Sequence, residues 1–450
     1  MDSSIERIAS YANGFNYEML DANAVHQCKR RVIDSLGCAL AAYAAGPCLI
    51  ARDLAMRVKQ DTGALIIGTS HRTLPELATF ANGVMVRYLD GNDTLPGGGG
   101  HPSDLVAPIL ATADAIGANG KETIAALALA YEVYYAFYHG ARMRDYGMDY
   151  VLYTAVGSAV GSGKLIGLSH GKLANAVSLA ITPNLALHAT RRGDLSMWKG
   201  CAAGNAARNG VFAALMASAG MTGPENAIEG SHGLRELVKS FELGELAQNS
   251  GFAITRSNLK YFLSEYHSQA PIAVALELSQ GINPEEIESV VIHTYWFAWS
   301  EIGSEPEKWH PTTRESADHS LPFIIAAVLI DREFSDAVFS DERLRDPRIH
   351  ALADKISVEE DKEFTARFPQ GIPSRIEVRM RGGTTKSGSV DYPRGHVKNP
   401  MTDEEVIYKF KSLSSRVLNA KGVEEVLERA WDLENARTVR GLLEAMCHAT

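Results

Sequence analysis

The chain has 450 residues, 46% of them hydrophobic, with 44 Lys and Arg against 54 Asp and Glu and a formal net charge of −10. That length exceeds what one hydrophobic core serves and predicts two compact units. The negative balance repels nucleic acid and anionic membrane surfaces, so an anionic substrate has to be attracted locally.

Residues 1–20 lack a basic segment followed by an apolar one, and no stretch reaches the roughly 18 uninterrupted apolar residues that a membrane span needs. A cytoplasmic protein with no membrane partner is expected. The five cysteines, Cys28, Cys38, Cys48, Cys201 and Cys447, form no CxxC pair and no zinc-type spacing with histidine, and read as free thiols. An iron–sulfur cluster needs three or four converging thiolates, so no such cluster is expected.

From Ser3 to about Ser264 the apolar periodicity is helical and rich in Ala, with breaks at Ala118-Asn119-Gly120 and Gly220. Leu77, Phe80, Val84 and Tyr88 form an apolar stripe, with Arg87 and Asp90 three apart on a neighbouring face near its end. The densest polar cluster follows: Asp90-Gly91-Asn92-Asp93-Thr94, then Gly97 to Gly100, then His101-Pro102-Ser103-Asp104. Four consecutive glycines cost conformational entropy and make a poor passive connector. A loop histidine near a helix-end carboxylate suits general acid–base chemistry, with Asp90 orienting the ring of His101 and stabilising its cation. A solvated histidine beside a capping aspartate fits the same pattern.

Gly161-Ser162-Gly163-Lys164 resembles part of a phosphate loop, but Leu165 stands where Ser or Thr would bind a metal and no strand precedes it, so nucleotide is not expected. Arg191-Arg192-Gly193-Asp194 with Trp198-Lys199, and Glu265-Tyr266-His267-Ser268-Gln269, are where an acidic chain concentrates donors for a carboxylate, unless they are solvated faces. Between the last two, the small residues of Gly204-Asn205-Ala206-Ala207-Arg208-Asn209-Gly210 predict a helix inside a bundle.

After about Gln269 the pattern changes. Ser289 to Trp296, Ser374 to Met380 and Thr384 to Tyr392, the last two joined at Gly382-Gly383, predict a small antiparallel sheet. Leu321 to Ile330 reads as a buried helix capped by Ser316 or Asp318, and Asp318-His319 is either catalytic or a cap. After Pro400, Thr402 with Glu405 forms a capping box that opens helices running to the end. The predicted architecture is mostly α with a second α+β domain: a large discontinuous helical domain, 1–268 and 396–450, and a smaller α+β lid domain, 269–395.

Together these segments resemble the MmgE/PrpD family over essentially the whole chain. The resemblance is carried by Ala81-Asn82-Gly83, Leu89-Asp90, Asp93-Thr94, His101-Pro102-Ser103-Asp104, Gly204-Asn205-Ala206-Ala207, Tyr266-His267-Ser268-Gln269, Asp318-His319-Ser320, Pro393-Arg394-Gly395-His396 and Asn399-Pro400-Met401. Members of the family include 2-methylcitrate dehydratase, cis-aconitate decarboxylase and iminodisuccinate epimerase. The resemblance implies a homodimer and a cofactor-free lyase or isomerase, with no metal, acting beside a carboxylate of a small di- or tricarboxylate. Hydro-lyase activity on a 2-methylcitrate-like substrate is the leading expectation, with decarboxylation, epimerisation or carboxylate binding without catalysis as alternatives.

Carried over by position, Asp90 and His101 match the family's catalytic aspartate and histidine, Lys199 matches a lysine ahead of Gly204-Asn205-Ala206-Ala207, and His267 falls near a further active-site histidine. Arg87, Arg192 and His319 are assigned to substrate binding. In Gly147-Met148-Asp149-Tyr150-Val151 the chain departs from the pattern, because dehydratases and decarboxylases tend to carry histidine at or near Tyr150. A phenol titrating near 10 is a neutral donor at pH 7, so either Tyr150 acts as the acid or the reaction differs.

Overall fold

The computed structural model describes residues 1–95, 97, 99–239, 241–246 and 251–447. Of the predicted four-glycine run, Gly98 therefore lies outside the described residues. The first half of the chain is mainly helical: α1 (Ser3–Gly14), α2 (Ala22–Ala41), α3 (Gly46–Met56), α4 (Pro75–Tyr88), α5 (Val106–Ile116), α6 (Gly120–Gly140), α7 (Val151–Leu165), α8 (His170–Ile181), α9 (Trp198–Ser218) and α10 (Leu234–Leu237). A two-strand ribbon that periodicity did not predict, β1 (Ala64–Leu65) paired with β2 (Arg72–Thr73), sits between α3 and α4. Two residues per strand are too few to show alternation.

Local chemistry starts and stops these helices. Asp2 caps α1 by accepting from the Ile5 amide at 3.0 Å. Asn119 and Glu122 form a reciprocal capping box on α6, and Gly117 ends α5 at φ 71°, a conformation open to glycine at little cost. The Gly161–Lys164 segment lies within α7, as continuous helix without a phosphate-loop turn.

The centre of the bundle is the crossing of α4 on α9. A Cβ on Gly204 would lie 2.9 Å from the Val84 nitrogen, and one on Gly83 would lie 2.9 Å from the Gly204 Cα. Two glycines facing each other let the backbones approach closer than any side chain allows. That contact sets the spacing between Arg87, at the end of α4, and Lys199, at the start of α9.

The later part contains α11 (Gln269–Ser279), β3 (Ile287–Thr294), α12 (Trp296–Ile302), α13 (Arg314–Ala317), α14 (Leu321–Asp331), α15 (Asp341–Leu344), α16 (Pro347–Ala353), β4 (Ile356–Glu360), α17 (Lys362–Arg367), β5 (Ser374–Met380) and β6 (Thr385–Val390). The sheet order is β4-β3-β5-β6. The three predicted strands pair antiparallel, β5 with both β3 and β6, while β4, which was not predicted, runs parallel to β3 and makes the sheet mixed. The predicted helix α14 is present, but its cap is Ser320, whose side chain accepts from the Phe323 amide; Ser316 and Asp318 point elsewhere.

One face of the sheet buries Val290, Ile292, Ile376 and Val378 against α11 and α14, forming a core of its own with Ile272, Ile324 and Ile325. The opposite face carries His293, Arg375 and Glu377, with Arg375 paired to Glu377 at 3.2 Å. Finally α18 (Asp403–Ser414), α19 (Ala420–Trp431) and α20 (Arg440–Glu444) return to the helical bundle. Met401, Val406, Phe410 and Leu413 join the same buried cluster as α2, and Thr402 with Glu405 forms the capping box that starts α18. No single helix among the described residues is long and apolar enough to cross a membrane.

Candidate active site

Beyond α4 the chain turns at Asp90, which adopts φ 53°, a strained setting for a residue with a Cβ. The turn buries its carboxylate among three cations. Arg87 reaches Oδ1 at 3.0 Å, Lys199 donates to Oδ2 at 3.0 Å, and Lys260 donates to both Oδ1 and, at 2.7 Å, the Asp90 carbonyl. Burial raises the carboxyl's pKa, but Arg87, Lys199 and Lys260 outweigh it and hold the group well below the ordinary range.

His101 lies across from this carboxylate, with Nε2 3.8 Å from Asp90 Oδ1, too far for a hydrogen bond. Its Nδ1 stands 2.7 Å from the backbone carbonyl of Asp93. A carbonyl only accepts, so Nδ1 carries the proton and Nε2 presents a lone pair. Asp93 is itself fixed, its side chain accepting from the Ser103 amide at 2.8 Å and from the Tyr131 hydroxyl at 3.0 Å. Burial, with Arg87 and Lys260 nearby, pushes the imidazole well below its usual pKa, so it is neutral at pH 7. The expected orientation by Asp90 is thus replaced by orientation through Asp93, and the ring is a neutral base instead of a stabilised cation.

The glycines make room for this. Gly100 has φ 147°, and a Cβ there would come within 2.8 Å of the Tyr134 hydroxyl. Its carbonyl accepts from Thr94, which closes the loop that delivers His101.

Tyr150, at the start of α7, faces His101 with ring centroids 5.8 Å apart. Arg87 Nε donates to its oxygen at 3.4 Å and the Arg191 guanidinium stacks 4.8 Å above its ring. Burial pushes the phenol up to about 12 against the pull of these two cations, so it carries its proton at neutral pH. From later in the chain come His319 and His267. His319 Nδ1 hydrogen-bonds the Asp318 carboxylate, which leaves Nε2 to the cleft, while His267 Nδ1 contacts the Tyr295 hydroxyl. Burial lowers the pKa of both, that of His267 to about 3.

Of the residues singled out in the sequence, Arg87, Asp90, His101, Tyr150, His267 and His319 line this one cleft. Lys199 lies beneath it, at 3.0 Å from both Asp90 and Asp318 and 3.3 Å from His319 Nδ1. Its three donors go to Asp90 Oδ2 and to the two Asp318 oxygens, each at 3.0 Å, so the ammonium is held by the protein's own carboxylates, where donation to a substrate carboxylate was expected. Asp90, Asp318 and His319 are also the one group among the described residues with metal-like convergence, and the lysine ammonium stands at its centre. Arg192 sits half-exposed at the rim, 3.8 Å from Glu301 and Glu305, while Arg191 and Arg144 line the cleft in its place.

Sequence reasoning missed Lys260, Arg144, His188 and Glu301. Lys260 had a signal, a lone cation in the apolar run Leu259 to Leu263. The other three stand in no motif that marked them.

A helical bundle with an α+β unit across one cleft, holding a neutral histidine, a protonated phenol and guanidinium groups, defines an enzyme built for acid–base chemistry on a small anion. The comparison with known proteins then gives the lineage. The MmgE/PrpD N-terminal domain matches residues 6–242 and the MmgE/PrpD C-terminal domain matches residues 262–433, and the chain belongs to this family. It is 29% identical to the 2-methylcitrate dehydratase of Salmonella typhimurium, over 96% of this chain and 94% of that protein. It is 28% identical to the 2-methylcitrate dehydratase of Escherichia coli, with the same coverage, and 28% identical to the 2-methylcitrate dehydratase-like protein oryR of Aspergillus oryzae, over 95% of this chain and 92% of that one.

Proposed function

We propose that the protein is a hydro-lyase that removes water from 2-methylcitrate or a close tricarboxylate. The observation that carries this reading is the pairing of a bare His101 Nε2 with a protonated Tyr150 across one cleft. Elimination needs a base at the carbon beside a carboxylate and an acid at the hydroxyl on the neighbouring carbon. His101 takes the carbon-bound proton, the electron pair forms the double bond, and Tyr150 gives its proton to the departing hydroxyl, which leaves as water. Arg87, Arg191 and Arg144 bind the carboxylates and offset the charge that grows on the one next to the ionising carbon. Asp90 and Lys199 hold Arg87 and the Asp318–His319 pair in register from below. Tyrosine in the position where relatives of this family tend to carry histidine serves as the acid in this scheme.

We further infer a homodimer in a reducing, cytoplasmic setting. The exposed apolar side chains Leu49, Ile50 and Leu54 of α3, beside Met197 and Trp198, support an interface, and five free cysteines support the compartment.

The test is to incubate purified protein with 2-methylcitrate and citrate and follow the ultraviolet absorbance of the unsaturated product. His101→Ala and Tyr150→Phe each lower kcat by about a hundredfold or more, the usual weight of a general acid or base. Carbon dioxide release from cis-aconitate, or deuterium incorporation without elimination, in place of that absorbance would replace the dehydratase reading by a decarboxylase or an epimerase.

A further inference from the structure

We propose that Lys409, on α18 and outside the cleft, is a positioning residue that holds the strained Asp90–Gly91 turn in its working shape. The three donors of its buried ammonium go to Asp34 on α2, to the Gly91 carbonyl and to the Lys260 carbonyl, each at 2.7 Å. Lys260 in turn donates to the Asp90 carbonyl at 2.7 Å. Two ammonium groups therefore grip two consecutive carbonyls, those of residues 90 and 91, which directly follow the φ 53° rotation at Asp90.

A left-handed setting for a residue with a Cβ is strained and persists only where the surroundings over-determine it. Here the surroundings are the two lysines. Lys409 also ties the 260 segment to the 91 segment, which sets the reach of Lys260 to the Asp90 carboxylate. The space is closed as well: a Cβ on Gly91 would meet Leu263 at 2.2 Å and the Cys38 sulfur at 3.2 Å, so the turn has no room to relax by shifting bodily. Asp34 keeps the Lys409 ammonium charged, since burial alone would lower its pKa and the carboxylate reverses that.

This inference rests on the proposed catalytic roles of Asp90 and His101, and its test has one arm that needs no turnover. Lys409→Met alone leaves Asp34 buried without its partner, so the decisive variant is Lys409→Met combined with Asp34→Asn, which removes both charges and keeps the volume. The double variant folds, with its helical circular dichroism unchanged. Its kcat on 2-methylcitrate, measured well below its melting temperature, falls about thirtyfold while KM stays within threefold. In hydrogen exchange read by mass spectrometry, peptides spanning 88–95 and 257–263 exchange about tenfold faster and those from α6, α7 and α9 keep their wild-type rates.

Wild-type exchange in those two segments overturns the proposal, as does faster exchange throughout the chain, which would make Lys409 a general stabiliser. If the wild-type enzyme leaves 2-methylcitrate untouched, the functional reading fails, and the exchange arm alone decides this one.

Discussion

Asp104 shows at the scale of one residue how burial sets charge. Its carboxyl is fully enclosed, with Asn92 Nδ2 donating to Oδ1 at 3.1 Å and no hydrogen-bond partner for Oδ2 among the described residues. Burial pushes its pKa up to about 7, against the pull of Arg87 and Arg191. In an unfolded chain the same group titrates near 4. Between about pH 4 and pH 7 the native state thus binds more protons than the unfolded state, so this group's contribution to stability falls as pH rises through that window. Asp104→Asn removes the effect. The melting temperature of the variant relative to wild type should be higher at pH 8 than at pH 5, and thermal denaturation at the two values checks it. An equal offset at both would mean that the carboxyl ionises as an exposed one does. His101 illustrates the limit of reading single residues: its type and place in a glycine loop marked it in the sequence, yet its tautomer follows from the Asp93 carbonyl, which no side-chain pattern reveals.

Between elements, the α4–α9 crossing carries the site. Gly204→Ala would place a methyl group 2.9 Å from the Val84 nitrogen and 3.1 Å from the Phe80 carbonyl, both backbone atoms that cannot turn aside. Overpacking of this kind costs about 1–3 kcal/mol. Because α4 ends in Arg87 and α9 begins at Lys199, the same shift disturbs the ions around Asp90. Urea denaturation should show a lower midpoint for Gly204→Ala, with kcat reduced; a wild-type midpoint would mean that the helices are free to separate. Helices of this kind were legible in the sequence, since small residues, caps and 3.6-residue periodicity are local properties. Strand β4 was not, because five residues are too short a run to stand out and its parallel pairing with β3 depends on a crossover between them.

Over the whole molecule, two hydrophobic cores meet at a layer of ions. Lys199 joins Asp90 of the first core's wall to Asp318 of the second, the Arg314 guanidinium lies 5.0 Å above the Tyr88 ring, and the Leu195 amide donates to Ser316 at 3.2 Å. Removing one member of such a buried group costs about 3–5 kcal/mol, because the remaining charge is left without its partner. Asp318→Asn should therefore lower the melting temperature and separate the two cores into distinct calorimetric transitions. A single transition at the wild-type temperature would show that the cores are held together by other contacts.

Family membership, the mostly α architecture with its α+β unit, the helix cap at Thr402, and the chemical types at positions 90, 101, 150 and 267 all follow from the order of residues, because each depends on a motif or on neighbours a few positions away. The choice of partners does not. Asp90 meets Lys199 and Lys260, more than a hundred positions further along, only once the Gly83–Gly204 crossing and the 94–258 bridge have formed. That step assigned Lys199 to the enzyme's own carboxylates, set Arg191 and Arg144 in the cleft in place of Arg192, and made His101 neutral. The physical reason is that burial and charge pairing depend on the distance between atoms in space, which local sequence leaves undetermined.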